Sequence, residues 1–139
     1  MNILFFLTPK SEVVYINEDD TLRQAMETME ARRYTAVPII TRHGKYAGTL
    51  TEGDLLWGIK NKYALSFKDA EKIRIMEIPR RSDNKPVSAD AAMEDLIDKV
   101  LNQNFVPVVD DKDIFIGIIT RKDIIQYLDR QVKQAEQAV

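Results

Sequence analysis

Short apolar runs alternate along this chain with stretches of helical spacing, and the whole arrangement is written twice. In the first copy, Val13, Val14, Tyr15 and Ile16 make Ser11 to Asn17 a β-branched and aromatic run that suits a short strand. Leu22, Ala25, Met26 and Met29 then fall at i, i+3, i+4 and i+7. They predict a helix with one apolar stripe toward the core, Arg23, Gln24, Glu27 and Glu30 outside, and Asp19 or Asp20 as its cap. Tyr34-Thr35-Ala36 leads into a strand through Val37 to Ile40. Thr41 to Lys45 reads as a hairpin turn in which Gly44 can take positive φ, and the second arm runs from Tyr46 to Thr51. A helix follows with Leu55, Leu56 and Ile59 on one face and Trp57 on another, partly exposed or against a partner.

The second copy keeps the order. Val87 is a short strand after Pro86, Asp90 is the expected cap, and Met93, Leu96, Ile97 and Val100 repeat the helical spacing at an offset of 71. Pro38 and Pro107, Gly48 and Gly117, and Asp54 and Asp123 are each separated by 69. The fall from 71 to 69 removes two residues between helix and strand, so Asn102 to Phe105 is a tighter approach than Ala31 to Ala36. Ile124, Ile125 and Leu128 match Leu55, Leu56 and Ile59, and the polar tail from Gln131 is expected to fray.

Between the copies, Ser66-Phe67-Lys68-Asp69 reads as the start of a short helix reaching about Ile73. Pro79 and the polar run Arg80 to Pro86 break regular structure and read as a looser stretch. The expected division is residues 1–62, a connector over 63–86, residues 87–130, and a tail over 131–139. Each half reads strand, helix, strand, strand, helix, and about 60 residues bury too little apolar surface to be comfortable alone. The expected fold is therefore α+β, with two β-α-β-β-α repeats packed face to face about a pseudo-two-fold axis and related clefts between them.

Composition narrows the chemistry. The chain has no cysteine, which removes disulfides and thiolate metal sites and makes the cytoplasm the default location. With 20 basic and 22 acidic residues interspersed, it offers duplex nucleic acid no basic face. The run Ile3 to Leu7 is too short for a signal core, and no stretch approaches the roughly 18 apolar residues of a spanning helix, so a membrane role is not expected. The lone histidine, His43, sits in the predicted turn, where its counterpart is Asp111-Lys112, so it reads as a turn residue. With no Ser/His/Asp spacing, phosphate-binding glycine loop or metal cluster, the chain does not read as an enzyme.

The hydrophobic-Pro-hydrophobic strands Val37-Pro38-Ile39 and Val106-Pro107-Val108 are each followed by Gly-x-x-Thr-x-x-Asp, from Gly48 to Asp54 and from Gly117 to Asp123. In these residues the chain resembles the tandem CBS-domain module, named for cystathionine beta-synthase, over about Thr8 to Leu128. The resemblance implies a regulatory sensor. Modules of this family often bind AMP, ADP, ATP or S-adenosylmethionine, some bind cyclic di-AMP, and they commonly form homodimeric discs. No catalytic domain or further cofactor is implied; the partner would be a separate protein.

The Gly-x-x-Thr-x-x-Asp segment crosses into a helix N-terminus, where unpaired amides and the positive dipole end suit a phosphate. Thr51 and Thr120 would donate a hydroxyl, and Asp54 and Asp123 would accept from a ribose diol. Ile16 and Val87 would wall the base, with backbone groups of Tyr34, Thr35, Ala36 and Val37 and of Asn104, Phe105 and Val106 reading its edge. The same Thr-x-x-Asp pattern also reads as a capping box, worth on the order of 1 kcal/mol to its helix. Between Thr and Asp the first copy has Glu52-Gly53 and the second Arg121-Lys122. That charge difference ranks the turn of Thr120 and Asp123 as the better nucleotide site. The competing expectation is a structural homodimer or interaction adaptor with vestigial, unoccupied clefts.

Overall fold

A computed structural model describes residues 2–62 and 67–138. The fold is α+β, and the chain forms two compact units: residues 14–83, and residues 84–139 together with 1–13. In the first, β2 (Ile16–Asn17), α1 (Leu22–Arg32), β3 (Ala36–Ile40), β4 (Tyr46–Thr51) and α2 (Glu52–Lys62) follow one another, then α3 (Phe67–Ala70). In the second, β5 (Val87–Ser88), α4 (Met93–Val100), β6 (Phe105–Val109), β7 (Phe115–Thr120) and α5 (Arg121–Gln137) repeat the order, and β1 (Thr8–Pro9) joins from the N-terminus.

Each unit holds a parallel β-α-β crossover and an antiparallel hairpin. The first sheet has the order β2-β3-β4, pairing Ile16 with Ile39 and Val37 with Leu50. The second has the order β1-β7-β6-β5, pairing Val87 with Val108 and Val106 with Ile119. Both hairpins slip register by a residue at the same place, Ile39/Ile40 and Val108/Val109. Pro38 sits in a central strand although it has no amide to give. It is tolerated because β2 begins opposite Ile39, which leaves the proline without a neighbour on that side.

The apolar stripes go where their spacing sends them. Leu22, Ala25 and Met29 of α1 are buried against Val37, Ile39 and Leu50, and Leu96 and Val100 of α4 against Val106, Val108 and Ile119. Several local expectations are corrected. Thr21 rather than Asp19 or Asp20 caps α1, because its hydroxyl accepts from the Gln24 amide while Gln24 returns the bond; Asp20 instead accepts from the Asn17 amide. Asp90 does not cap α4. Its carboxylate is held by the Ser88 hydroxyl, and Ala92 occupies the cap position with no side-chain bond.

The strand expected over Ser11 to Asn17 is confined to Ile16–Asn17, since Lys10–Glu12 forms a 3-10 turn. Leu56 and Ile125, expected on one face with Leu55 and with Ile124, are 58% and 55% exposed, whereas Leu55 and Ile124 are buried. The tail expected to fray is helical through Gln137. The expected helix start at Ser66 lies outside the described residues, and α3 ends at Ala70 rather than near Ile73. Among the described residues, no helix is long and apolar enough to cross a membrane.

The N-terminal segment and the connector do equivalent work in opposite units. Thr8 and Pro9 pair with Ile118 and Gly117 on the open edge of β7. On the matching edge of β4, Asp83 accepts the Thr49 amide at 2.8 Å. Gly117 and Gly48 lie directly beneath these crossings at φ of 155° and 156°. A Cβ on Gly117 would lie 2.2 Å from the Thr8 carbonyl oxygen, and one on Gly48 would lie 2.6 Å from Asp83 Oδ1. The first landmark of each Gly-x-x-Thr-x-x-Asp turn is glycine because another segment crosses it.

Candidate functional site

The amides at the start of α2 and α5 can be counted one by one. The first three of any helix lack intrahelical acceptors. In the first copy the Glu52 amide donates to the Thr35 carbonyl at 2.9 Å and the Asp54 amide to Thr51 Oγ1 at 3.1 Å. In the second the Arg121 amide donates to the Asn104 carbonyl at 2.8 Å and the Asp123 amide to Thr120 Oγ1 at 3.2 Å. Among the described residues the amides of Gly53 and Lys122 have no acceptor, which leaves them for an anion. Both threonine hydroxyls are engaged as caps, and the carbonyls of Thr35 and Asn104, expected to read a base, are taken.

The carboxylates part company. Asp54 closes a full capping box, since its Oδ2 accepts from the Thr51 amide at 3.0 Å. Its Oδ1 accepts from the Arg81 amide at 3.0 Å, and the residue is 6% exposed. Asp123 makes only the hydroxyl half of the box. Among the described residues nothing donates to its carboxylate, and it is half-buried.

The cations beside Asp123 also divide. Arg121 turns back so that its Nε donates to the Val100 carbonyl at 2.7 Å, where a guanidinium suits the negative end of α4. Lys122 is exposed. Of the residues expected to wall a base, Ile16 is fully buried and Val87 is 6% exposed, each inside its own core. Val37, Phe105 and Val106 are buried within β3 and β6, Ala36 is half-buried, and Tyr34 is 46% exposed beside exposed Thr35.

Three connector residues and one side-chain amide escaped the sequence reading. Arg80 grips Asp83 with Nε at 2.7 Å and Nη2 at 3.3 Å. Burial would raise the Asp83 carboxyl, but the hydrogen bonds from Arg80 and from the Thr49 amide outweigh it and hold the group below its ordinary value of 3.8. The hydrogen bond to Asp83 in turn raises Arg80. Tyr46, beside this pair, is raised to about 12, first by burial; its hydroxyl shares a 2.6 Å hydrogen bond with that of Thr49. The stretch expected to be looser is thus tied down at Arg80, Arg81 and Asp83.

Gln103 does the same for the shorter approach to β6. Its amide group accepts from the Lys85 amide at 2.8 Å and donates to the Lys85 carbonyl at 3.1 Å, as a neighbouring strand would. The carbonyl of Phe105 also receives Asn84 Nδ2 at 3.1 Å. The Arg80-x-x-Asp83 spacing was the one visible signal for the connector tie; nothing local marks Arg81 or Gln103.

This architecture and these paired turns define a duplicated α+β module. The family model described as CBS domain matches residues 6–61 and 75–130, and the chain belongs to that family. It is similar to cyclic di-AMP receptor B of Bacillus subtilis (strain 168), 23% identical over 133 residues covering 92% of this chain and 86% of the relative. Among solved structures, CbpB in complex with c-di-AMP superimposes with a TM-score of 0.85 at 23% identity, covering 100% of this chain and 91% of the other. CBSX2 in complex with AMP gives 0.74 at 21% identity, covering 95% and 98%.

Proposed function

We propose that the protein is a ligand-sensing regulatory module, not an enzyme, that binds an adenosine-containing nucleotide. The turn of Thr120 and Asp123 supplies the better site. The observation that carries this is the unmatched fate of the two carboxylates: Asp54 has both oxygens engaged by backbone amides, whereas Asp123 keeps its acceptors for an incoming ribose diol. The Lys122 amide and exposed ammonium supply the adjacent anion contact. Support for the ligand class comes from the relatives named for c-di-AMP and the structural neighbour holding AMP; ADP, ATP and S-adenosylmethionine share the same adenosine.

The sensor works by linkage. A nucleotide with different affinities for two arrangements of a homodimer biases which is populated, and thereby the surface offered to a separate target protein. A cytoplasmic location goes with this reading, since that is where free adenine nucleotides are found.

The test is thermal melting of wild type, Asp123→Ala and Asp54→Ala against c-di-AMP, AMP, ADP, ATP and S-adenosylmethionine. At about 100 times its Kd a ligand adds about 2.7 kcal/mol. Most of that gain disappears in Asp123→Ala and is retained in Asp54→Ala. If no nucleotide shifts melting while a stable dimer persists, the structural-adaptor reading replaces this one.

A further inference from the structure

Beside α2 lies a groove that the second repeat does not share. One wall is the helix face carrying Asp54, Trp57, Gly58 and Asn61, three and four residues apart and therefore aligned. The facing wall is the connector from Pro79 to Arg81, and the cavity between them measures about 260 Å³. Sixty-nine residues on, α5 has Gln126 in place of Trp57 and Tyr127 in place of Gly58. The Tyr127 ring packs edge-on against Phe6 with centroids 5.2 Å apart. The second repeat thus covers this helix face with its own aromatic pair, whereas among the described residues the first covers it only with Ile78 at Gly58. A Cβ on Gly58 would lie 3.3 Å from Ile78, so the glycine lets this buried connector residue close on α2.

The lining carries one carboxylate, Asp54, against the guanidinium groups of Arg80 and Arg81. The acceptors of Asp54 are taken by the Thr51 and Arg81 amides, and Asp83 pairs with Arg80. What remains is the exposed guanidinium of Arg81, for which no partner is described, and Lys60, whose ammonium stands 5.4 Å from the centroid of the Trp57 ring. The indole is 55% exposed, and Leu56 beside it and Met76 against Arg80 are 58% and 41% exposed. Exposed Trp, Met and Arg around a cavity are the composition of an interface centre. The volume is below the roughly 300–1,000 Å³ of small-molecule pockets and on the scale of one anchoring side chain.

We infer that this groove docks a partner protein through an acidic segment, which seats an aromatic or large aliphatic side chain beside Trp57 and sets a neighbouring carboxylate on Arg81. The inference gives the target protein of the proposed function a docking place, and it rests on that reading for what the docking regulates.

The test is selection of phage-displayed random 12-residue peptides on the full chain, followed by calorimetry with the synthesised binders. Trp57, the sequence's only tryptophan, reports occupancy by its fluorescence. The expected binders are net negative with an aromatic or aliphatic anchor, and they bind at least tenfold more weakly to Trp57→Ala and to Arg81→Glu. Gly58→Tyr, which copies the second repeat, blocks them as well; should it fail to fold, the two exposed positions carry the test. Failure to select a binder, enrichment of basic or neutral peptides, or losses under tenfold overturn the inference. So does a Trp57 shift with AMP or inorganic phosphate alone that Arg81→Glu abolishes, since the occupant would then be a small anion. Peptide failure alongside an intact nucleotide shift sinks only the groove, and a missing nucleotide shift with intact peptide binding sinks only the sensor.

Discussion

The turn from Gly48 to Asp54 and its copy from Gly117 to Asp123 share glycine, threonine and aspartate at identical spacing, yet their carboxylates have opposite fates. In the first, Asp54 is a structural residue, clamped between its own helix cap and the connector. In the second, the crossing is made by backbone, Thr8 and Pro9 pairing along β7, and among the described residues nothing donates to the Asp123 carboxylate. A side chain becomes available to a ligand when the rest of the fold has no use for it. The comparison teaches that a duplicated motif carries no function with it until its hydrogen bonds have been counted copy by copy.

The largest expected effect separates the two crossings. Gly117→Ala drives a methyl group into the backbone oxygen of Thr8 and costs about 2–4 kcal/mol in urea denaturation. Gly48→Ala meets the ends of the Asp83 and Arg80 side chains, which can give, and costs about 1–2 kcal/mol. Equal costs would mean the two glycines serve something other than these crossings.

Next comes Asp54→Ala, which strands the Arg81 amide and removes half a capping box, for a loss of about 1–3 kcal/mol. Asp123→Ala changes intrinsic stability by no more than about 0.5 kcal/mol. The pair therefore inverts between assays, with Asp54 mattering for stability and Asp123 for nucleotide-induced melting. Loss of both properties in one variant breaks the contrast.

A smaller effect tests the connector tie. Asp83→Ala costs about 1 kcal/mol at neutral pH, discounted because the carboxylate is partly exposed. The folded protein holds this carboxyl below its ordinary 3.8. Its contribution is therefore fully present above that value and fades as pH falls through the lower folded-state value. Urea titrations of wild type and variant converge in that acidic window; a difference that stays constant there contradicts the tie. Gln103→Ala frees Lys85 and lowers stability by about 0.5–1 kcal/mol without altering β6 itself.

Much of the fold was legible because it is local. The spacing of Leu22, Ala25 and Met29, the run Val37 to Ile40, the Gly44 turn at φ of 84° and the hairpin arm Tyr46–Thr51 each follow from a few neighbouring residues, and each recurs in the second copy. Errors came where neighbours compete on equal terms. Asp19, Asp20 and Thr21 can all cap a helix, and the choice fell to the one whose partner Gln24 returns the bond. Leu56 and Ile125 fit an apolar face by spacing, but one short sheet has room for only part of that face.

By itself the sequence determined the duplication, the order of elements in each half and the two Gly-x-x-Thr-x-x-Asp turns, since periodicity and turn residues act over a few positions. Tertiary structure alone decided what each turn does. Asp54 is claimed by an amide 27 residues away, Thr49 by a carboxylate 34 away, and the Asp123 carboxylate by no described residue. Burial and hydrogen-bond competition depend on which distant groups arrive, and no spacing within the motif records their arrival.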